Sequence, residues 1–423
     1  MILPKYYYLA AGCVLLGMII GTSIGVFLGQ DSNPQTTGII MNRTDKPIAS
    51  TSTPIDRTEA MTTNATNTET SIPPLSTNET QVRDIFTEID PTPLVTRPED
   101  TPSPTPMPLT PSTPPTPSPT GLTVMAWVYP GEPGCNAGRE YRDGRTIDIL
   151  KPEYFTINSG TLELISADSV SCNGFSEANV ADLKRYSRQQ FVTVSSASTD
   201  AMDTFLAGAL ASPTDITTLV DFVVEHNLTG IELNFEDFGG WQATSYSNFK
   251  EFVKRLGTGL RAEGKQLMVT GPAIADATEQ GWFRFRYEDF IGLPVDVMVI
   301  MLYDYQYDHG TGEPVAPLDW MERVLTYTKG RLPTSRLSIG IPSYGYEGTI
   351  GSRPILRTYY QLKNKPGFAS ATRDERSAER TWKTGQTVYF YQDSESIRRK
   401  IAVVEDAGIR SISLWHLGGN QWF

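Results

Sequence analysis

After Gly121 the chain alternates short runs of β-branched and aromatic residues with longer stretches of helical periodicity, and this alternation restricts its fold more than any other feature. Strand-like runs fall at Thr123 to Tyr129, Tyr154 to Asn158, Phe191 to Ser195, Gly230 to Phe235, Gln266 to Thr270, Val295 to Met301, Leu337 to Ile341 and Ile412 to Trp415, eight in all. Between them, Thr214 to His226 places Ile216, Leu219, Phe222 and Val223 on one face. Tyr246 to Ala262 does the same with Phe249, Phe252, Val253, Leu256 and Leu260. Eight strands with interleaved helices predict a (β/α)8 TIM barrel, whose functional groups sit at the carboxyl ends of the strands. An open doubly wound sheet would carry a glycine-rich phosphate turn after its first strand, but Tyr129-Pro130-Gly131-Glu132-Pro133-Gly134 is broken by prolines. Between strands seven and eight, Glu347 to Val388 lacks clear periodicity and predicts a small β-rich insertion.

The barrel accounts for residues 121–423 only. Tyr6 to Leu28 has no charged residue and is long enough to cross a bilayer as a helix, so residues 1–30 read as a transmembrane signal-anchor. A cleaved signal peptide is the alternative. With Lys5 before the span and Asp31 after it, the positive-inside rule puts the N-terminus in the cytoplasm and the rest outside the cell membrane. Residues 31–120 are dominated by Thr, Ser, Pro and Asn and bury too little apolar surface to offset ordering, which predicts a disordered stalk. A net charge of −12 argues against nucleic acid as a partner. Cys135 and Cys172 are the only cysteines in the extracellular part, either bridged or as two free thiols. Without a Cys-x-x-Cys pair, and with His226, His309 and His416 scattered, no metal or cofactor is expected.

The fourth run, Gly230-Ile231-Glu232-Leu233-Asn234-Phe235-Glu236, carries three polar side chains at every second position. Alternation sends Glu232, Asn234 and Glu236 to one face and Ile231, Leu233 and Phe235 to the other. Burying carboxyls on a half-apolar strand is costly unless they are bonded and needed, so the row points to a site. A half-exposed sheet edge with charged gatekeepers is the bland alternative. Strand six ends in Met301-Leu302-Tyr303-Asp304 and strand eight in Ser413-Leu414-Trp415.

Together these strand ends resemble glycoside hydrolase family 18, the chitinase family, whose strand-four motif is Asp-Gly-x-Asp-x-Asp-x-Glu and whose strand six ends in Met-x-Tyr-Asp. The resemblance covers Leu122 to Phe423. Pro314 to Trp320, Ile339 to Tyr346 and Trp415-His416-Leu417-Gly418 look like its bacterial spore-cortex and peptidoglycan-directed branch. The resemblance implies a retaining reaction in which the substrate's own N-acetyl group attacks the sugar. It implies that Glu236 is the general acid, that Tyr303 bonds the acetamido carbonyl with Asp304 beside it, and that Trp415 floors the sugar. Trp127, Tyr129, Met301 and Tyr344 are expected to line the groove, with Tyr346 and Trp241 as weaker candidates.

All three motif aspartates differ here: Thr229, Glu232 and Asn234 stand in their places. The change at Asn234 removes a charge, worth ~10²-fold in rate, that Glu232 is expected to replace in part; Asp237 should point to the other face. Ser195-Ser196-Ala197-Ser198 also lacks the Ser-x-Gly-Gly of true chitinases. Two functions follow: a membrane-anchored glycosidase cleaving β-1,4 bonds in N-acetylglucosamine-containing polymers such as peptidoglycan or chitin, or a catalytically weak or silent lectin on the same barrel. Glu236 favours the first and Asn234 the second.

Overall fold

A computed structural model describes residues 121–142 and 147–419. The expected membrane span and stalk lie outside them. Among the described residues no helix is long and apolar enough to cross a membrane.

Eight parallel strands close on themselves: β1 (Thr123–Val128), β2 (Ile147–Asn158), β3 (Ser187–Ser196), β4 (Gly230–Phe235), β5 (Gln266–Pro272), β6 (Val297–Met301), β7 (Leu337–Pro342) and β8 (Ser411–Trp415). Closure is made by β1, which pairs with β8 from Thr123 opposite Ser411 to Ala126 opposite Leu414, and with β2 from Met125 opposite Ile149 to Val128 opposite Pro152. The parallel barrel with covering helices is the expected architecture.

Alternation along each strand divides the apolar residues into two layers. Ile231, Leu233 and Phe235 face outward and join a core shared with Phe249, Phe252 and Leu256 of the helix Ala243–Ala262. Inside the barrel, Met125, Trp127, Ile149, Phe191, Met268, Val297 and Val299 form a smaller core. Helix Thr214–Glu225 lies where its periodicity places it, preceded by a further helix, Thr199–Ala211, that also follows β3.

The second strand is longer than its apolar run indicates. Tyr154 to Asn158 is only the carboxyl end of a 12-residue strand, with a bulge between Glu153 and Phe155. Its first half carries Asp148, Lys151 and Glu153, polar residues that suggest a loop until their partners are seen. Asp148 accepts from the Val124 amide at 2.8 Å and pairs with Arg188. Lys151 pairs with Glu232 at 2.5 Å inside the barrel.

Between β7 and β8 the chain builds a five-stranded antiparallel sheet, ordered Ile355–Arg357, Gly345–Thr349, Thr387–Tyr391, Arg380–Thr384, Thr372–Arg373. Its own core joins Leu362, Ala371 and Tyr391 to Trp382, which stacks on Tyr389 at 4.2 Å. A buried carboxylate clips this insertion to the barrel: Glu379 accepts from the amides of Val315 (3.0 Å) and Ala316 (2.8 Å) and pairs with Lys400 at 3.2 Å. Cys135 and Cys172 are joined in a disulfide, tying the loop after β1 to the loop before β3.

Candidate active site

The carboxyl ends of the strands open into a cavity of about 1110 Å³. Its floor holds Glu153, Asn234, Glu236, Met301, Tyr303, Asp304 and Trp415, while Arg353 to Arg357 of the insertion form one wall and Asn158 to Ser159 with Ser195 to Ser198 another. Tyr129 joins from the loop after β1, edge-on to Trp415 at 6.4 Å between ring centres.

Glu236 sits just past the end of β4, where its amide donates to the Ser196 carbonyl at 2.7 Å and its own carbonyl accepts from the Trp241 indole at 3.0 Å. Backbone bonds on both sides fix the carboxyl's direction. Burial pushes its pKa up to about 8, helped by the charges of Glu153, Asp304 and Asp237 and opposed by a hydrogen bond from Asn234. It therefore carries a proton at neutral pH. Asn234 is held at both ends of its amide, with Oδ1 accepting from Thr270 Oγ1 at 2.9 Å and Nδ2 donating to Glu236 Oε1 at 2.9 Å.

Tyr303 is buried beside Trp415, with 6.2 Å between ring centres, and burial holds its hydroxyl far above the usual range, so it is a neutral donor. Space for its ring is made by Gly340 on β7, where a Cβ would come within 2.8 Å of Tyr303 Cε1. Asp304 takes a left-handed backbone conformation, φ 69°, and its carboxylate accepts from the Tyr344 hydroxyl. Burial raises Asp304 to about 6, against the pull of Tyr344 and Gln306. The assembly can present a proton, a neutral hydroxyl donor and a carboxylate around a flat aromatic floor.

Three expected site residues are placed elsewhere. Glu232 is fully buried below the cavity, bonded by Lys151, by the Trp127 indole at 2.5 Å and by Thr193 at 2.9 Å. The expectation that its charge replaces the missing aspartate is corrected: the carboxylate lies below the cavity, committed to its ion pair with Lys151. Trp127 is 1% exposed in the inner core, with the Lys151 ammonium 3.3 Å from its ring centre, and is no groove residue. Tyr344 is likewise 1% exposed and reaches the site only through Asp304. Of the weaker candidates, Trp241 is buried against the Glu236 backbone and Tyr346 bonds the Glu313 carbonyl. Asp237 departs from alternation through its φ of 59° and lines the cavity, yet its carboxylate is bound by Thr199 Oγ1 at 2.6 Å.

One cavity carboxyl was not anticipated from the sequence. Glu153 is buried on β2 and lines the cavity, and burial raises it to about 7 with help from the Glu232 charge. The alternation Ile149, Lys151, Glu153 along a strand entering the barrel was the available signal, hidden by the late start assigned to that strand.

The sequence profile of the glycosyl hydrolases family 18 matches residues 155–420. The chain belongs to glycoside hydrolase family 18. Among curated relatives, the uncharacterized glycosylase YvbX of Bacillus subtilis is 27% identical over 217 residues, 48% of this chain and 61% of that protein. The cortical fragment-lytic enzyme of Bacillus subtilis is 23% identical over 219 residues, 47% of this chain and 49% of that one. The match thus spans about half to three-fifths of these relatives' length. In fold, the chain is similar to a chitinase from Chromobacterium violaceum, with a TM-score of 0.58 and 21% identity over 71% of this chain and 95% of that one. It is equally similar to the spore cortex-lytic enzyme SleL of Bacillus megaterium, with a TM-score of 0.58 and 17% identity over 71% of each chain.

Proposed function

We propose that this family 18 protein is a retaining glycosidase that cleaves β-1,4 bonds after N-acetylglucosamine in wall polymers, with peptidoglycan as the favoured substrate. The observation that carries the reading is Glu236, a carboxyl protonated at neutral pH at the floor of a cavity walled by aromatic rings. The cortical fragment-lytic relatives favour peptidoglycan over chitin.

In this reading the sugar at the scissile bond rests on Trp415, its acetamido carbonyl receiving the Tyr303 hydroxyl and swinging under C1. Glu236 gives its proton to the glycosidic oxygen as the carbonyl oxygen attacks C1 and the C1–O bond breaks. Water then attacks C1 of the oxazolinium ion, Glu236 takes the water's proton, and the ring opens to the retained sugar. Tyr344 keeps Asp304 oriented beside Tyr303 throughout.

The N-terminal apolar segment and the Thr/Pro-rich residues after it support an extracellular barrel held to the cell membrane on a stalk. The Cys135–Cys172 bridge fits an oxidising compartment.

A second reading, a lectin on the same barrel, draws on Asn234, whose neutral amide is already bonded at both ends. The deciding experiment is hydrolysis of a fluorogenic di-N-acetylchitobioside and of purified peptidoglycan by the full chain beside Glu236→Gln. Turnover abolished by the substitution supports the glycosidase; no turnover by the parent together with saturable oligosaccharide binding supports the lectin.

A further inference from the structure

Resting on the glycosidase reading, one buried acid calls for a task. Glu153 is enclosed within the barrel at the cavity floor, and the neighbours that shift it are a serine hydroxyl and another carboxylate rather than a cation. The one ammonium nearby in sequence, Lys151, is committed to Glu232. An acid enclosed without a counter-ion is a standing cost to folding, and such costs gather where charge is used.

With Asp304 bound by Tyr344 beside Tyr303, what β4 lacks beside its acid is also a charge. Asn234 occupies the place where a carboxylate would face the cationic intermediate, and its amide has been put to other work, with oxygen to Thr270 and nitrogen to Glu236. Glu153 reaches the same floor from two strands away. Both side chains line that floor, and Ser195, in register with Asn234 on the strand between them, sends its hydroxyl to the Phe155 carbonyl at 3.3 Å and leaves the Glu153 carboxylate to the cavity. We propose that the charge has moved: Glu153 supplies the carboxylate that Asn234 cannot, stabilising the positive acetamido group as the oxazolinium ion forms and keeping Glu236 protonated between turnovers.

The atoms balance with Glu153 ionised throughout. The acetamido oxygen bonds to C1, the leaving oxygen departs with the Glu236 proton, and the positive charge spreads over the ring N–H, where Glu153 meets it. Glu153 gains and loses no proton across the cycle. It acts electrostatically.

The test is a cycle in the full chain: Glu153→Gln, Asn234→Asp and the double variant, assayed on the fluorogenic chitobioside and for binding of an N-acetylglucosamine-derived thiazoline, a stable analogue of the oxazolinium ion. The expected result is that Glu153→Gln lowers kcat by ~10²-fold with KM changed less than threefold. It should also weaken the thiazoline by a similar factor and remove the limb of the pH profile near 7. Asn234→Asp alone should leave the rate within threefold or lower it, and in the Glu153→Gln background should restore at least tenfold. A purely structural role for Glu153 would leave the pH limb in place and deny the rescue. A rate for Glu153→Gln within threefold of the parent, or an Asn234→Asp gain of the same size with and without Glu153, overturns the inference and leaves the glycosidase reading standing. A parent that neither turns over the chitobioside nor binds the thiazoline overturns both.

Discussion

Replacing Glu236 by Gln should make the protein more stable, and by an amount that depends on pH in a stated direction. In the folded chain the Glu236 carboxyl is raised from 4.5 to about 8. A group whose folded pKa lies above its unfolded value contributes fully below the unfolded value and loses that contribution as pH rises through the folded one. Between pH 4.5 and 7 the unfolded chain gives up this proton while the folded chain holds it, at about 1.4 kcal/mol per pH unit. That amounts to roughly 3 kcal/mol against folding at pH 7, and about 2 kcal/mol once screening by water in the open cavity is allowed for. Gln carries no charge to desolvate and keeps an oxygen for Asn234, so the penalty vanishes. Urea denaturation of both proteins at pH 5, 6, 7 and 8 should show a gap of about 0.5 kcal/mol at pH 5 that widens steadily to pH 8, with a Tm advantage of about 4 °C at pH 7. A gap that stays flat across that range would refute the claim that Glu236 is held protonated by burial and neighbouring carboxylates.

The same proton sets the alkaline side of activity: kcat/KM on the fluorogenic substrate should fall tenfold per pH unit above about 8, as Glu236 ionises. Breaking the barrel's interior pair by Glu232→Gln should cost about 3–5 kcal/mol by urea denaturation, because the Lys151 ammonium is left buried and unpaired, whereas Lys151→Met with Glu232→Leu should recover most of the loss. Trp415→Ala should lower kcat/KM by about 10²-fold while costing about 1–3 kcal/mol of stability by urea denaturation, since the ring is partly open to the cavity but also packs against the inner core and Tyr344. Cys135→Ser with Cys172→Ser, which opens a loop of 37 residues, should lower stability by about 3–4 kcal/mol, read as a reduced urea midpoint.

What could be read from the chain and what could not divide along a physical line. Alternation tells which face a strand residue takes, so Ile231, Leu233 and Phe235 are outward and Glu232 and Asn234 inward as expected. It does not tell depth. Whether an inward residue lies in the mouth or beneath it depends on the stagger of neighbouring strands, which sets Glu232 level with Thr193 and Met268 and Asn234 level with Ser195. Trp127 and Glu232 were therefore expected one layer too high. The first half of β2 escaped for the complementary reason: hydropathy marks strands whose burial is apolar, and Lys151 is buried by its partner rather than by its own chemistry. The insertion was legible only as a break in periodicity, and its clip through Glu379 required pairing across three distant segments.

The stack of Trp127, Lys151 and Glu232 beneath Asn234 makes the reaction chamber blind. Among the described residues no path runs through the barrel axis, so every molecule enters and leaves through the cavity at the carboxyl ends of the strands. In the proposed reaction the water that opens the oxazolinium ion then has to come in from the groove, along the side from which the severed half of the polymer withdraws. Departure becomes the precondition for hydrolysis. While that half lingers, the hydroxyl it has just gained holds the place the water needs, and the bond re-forms.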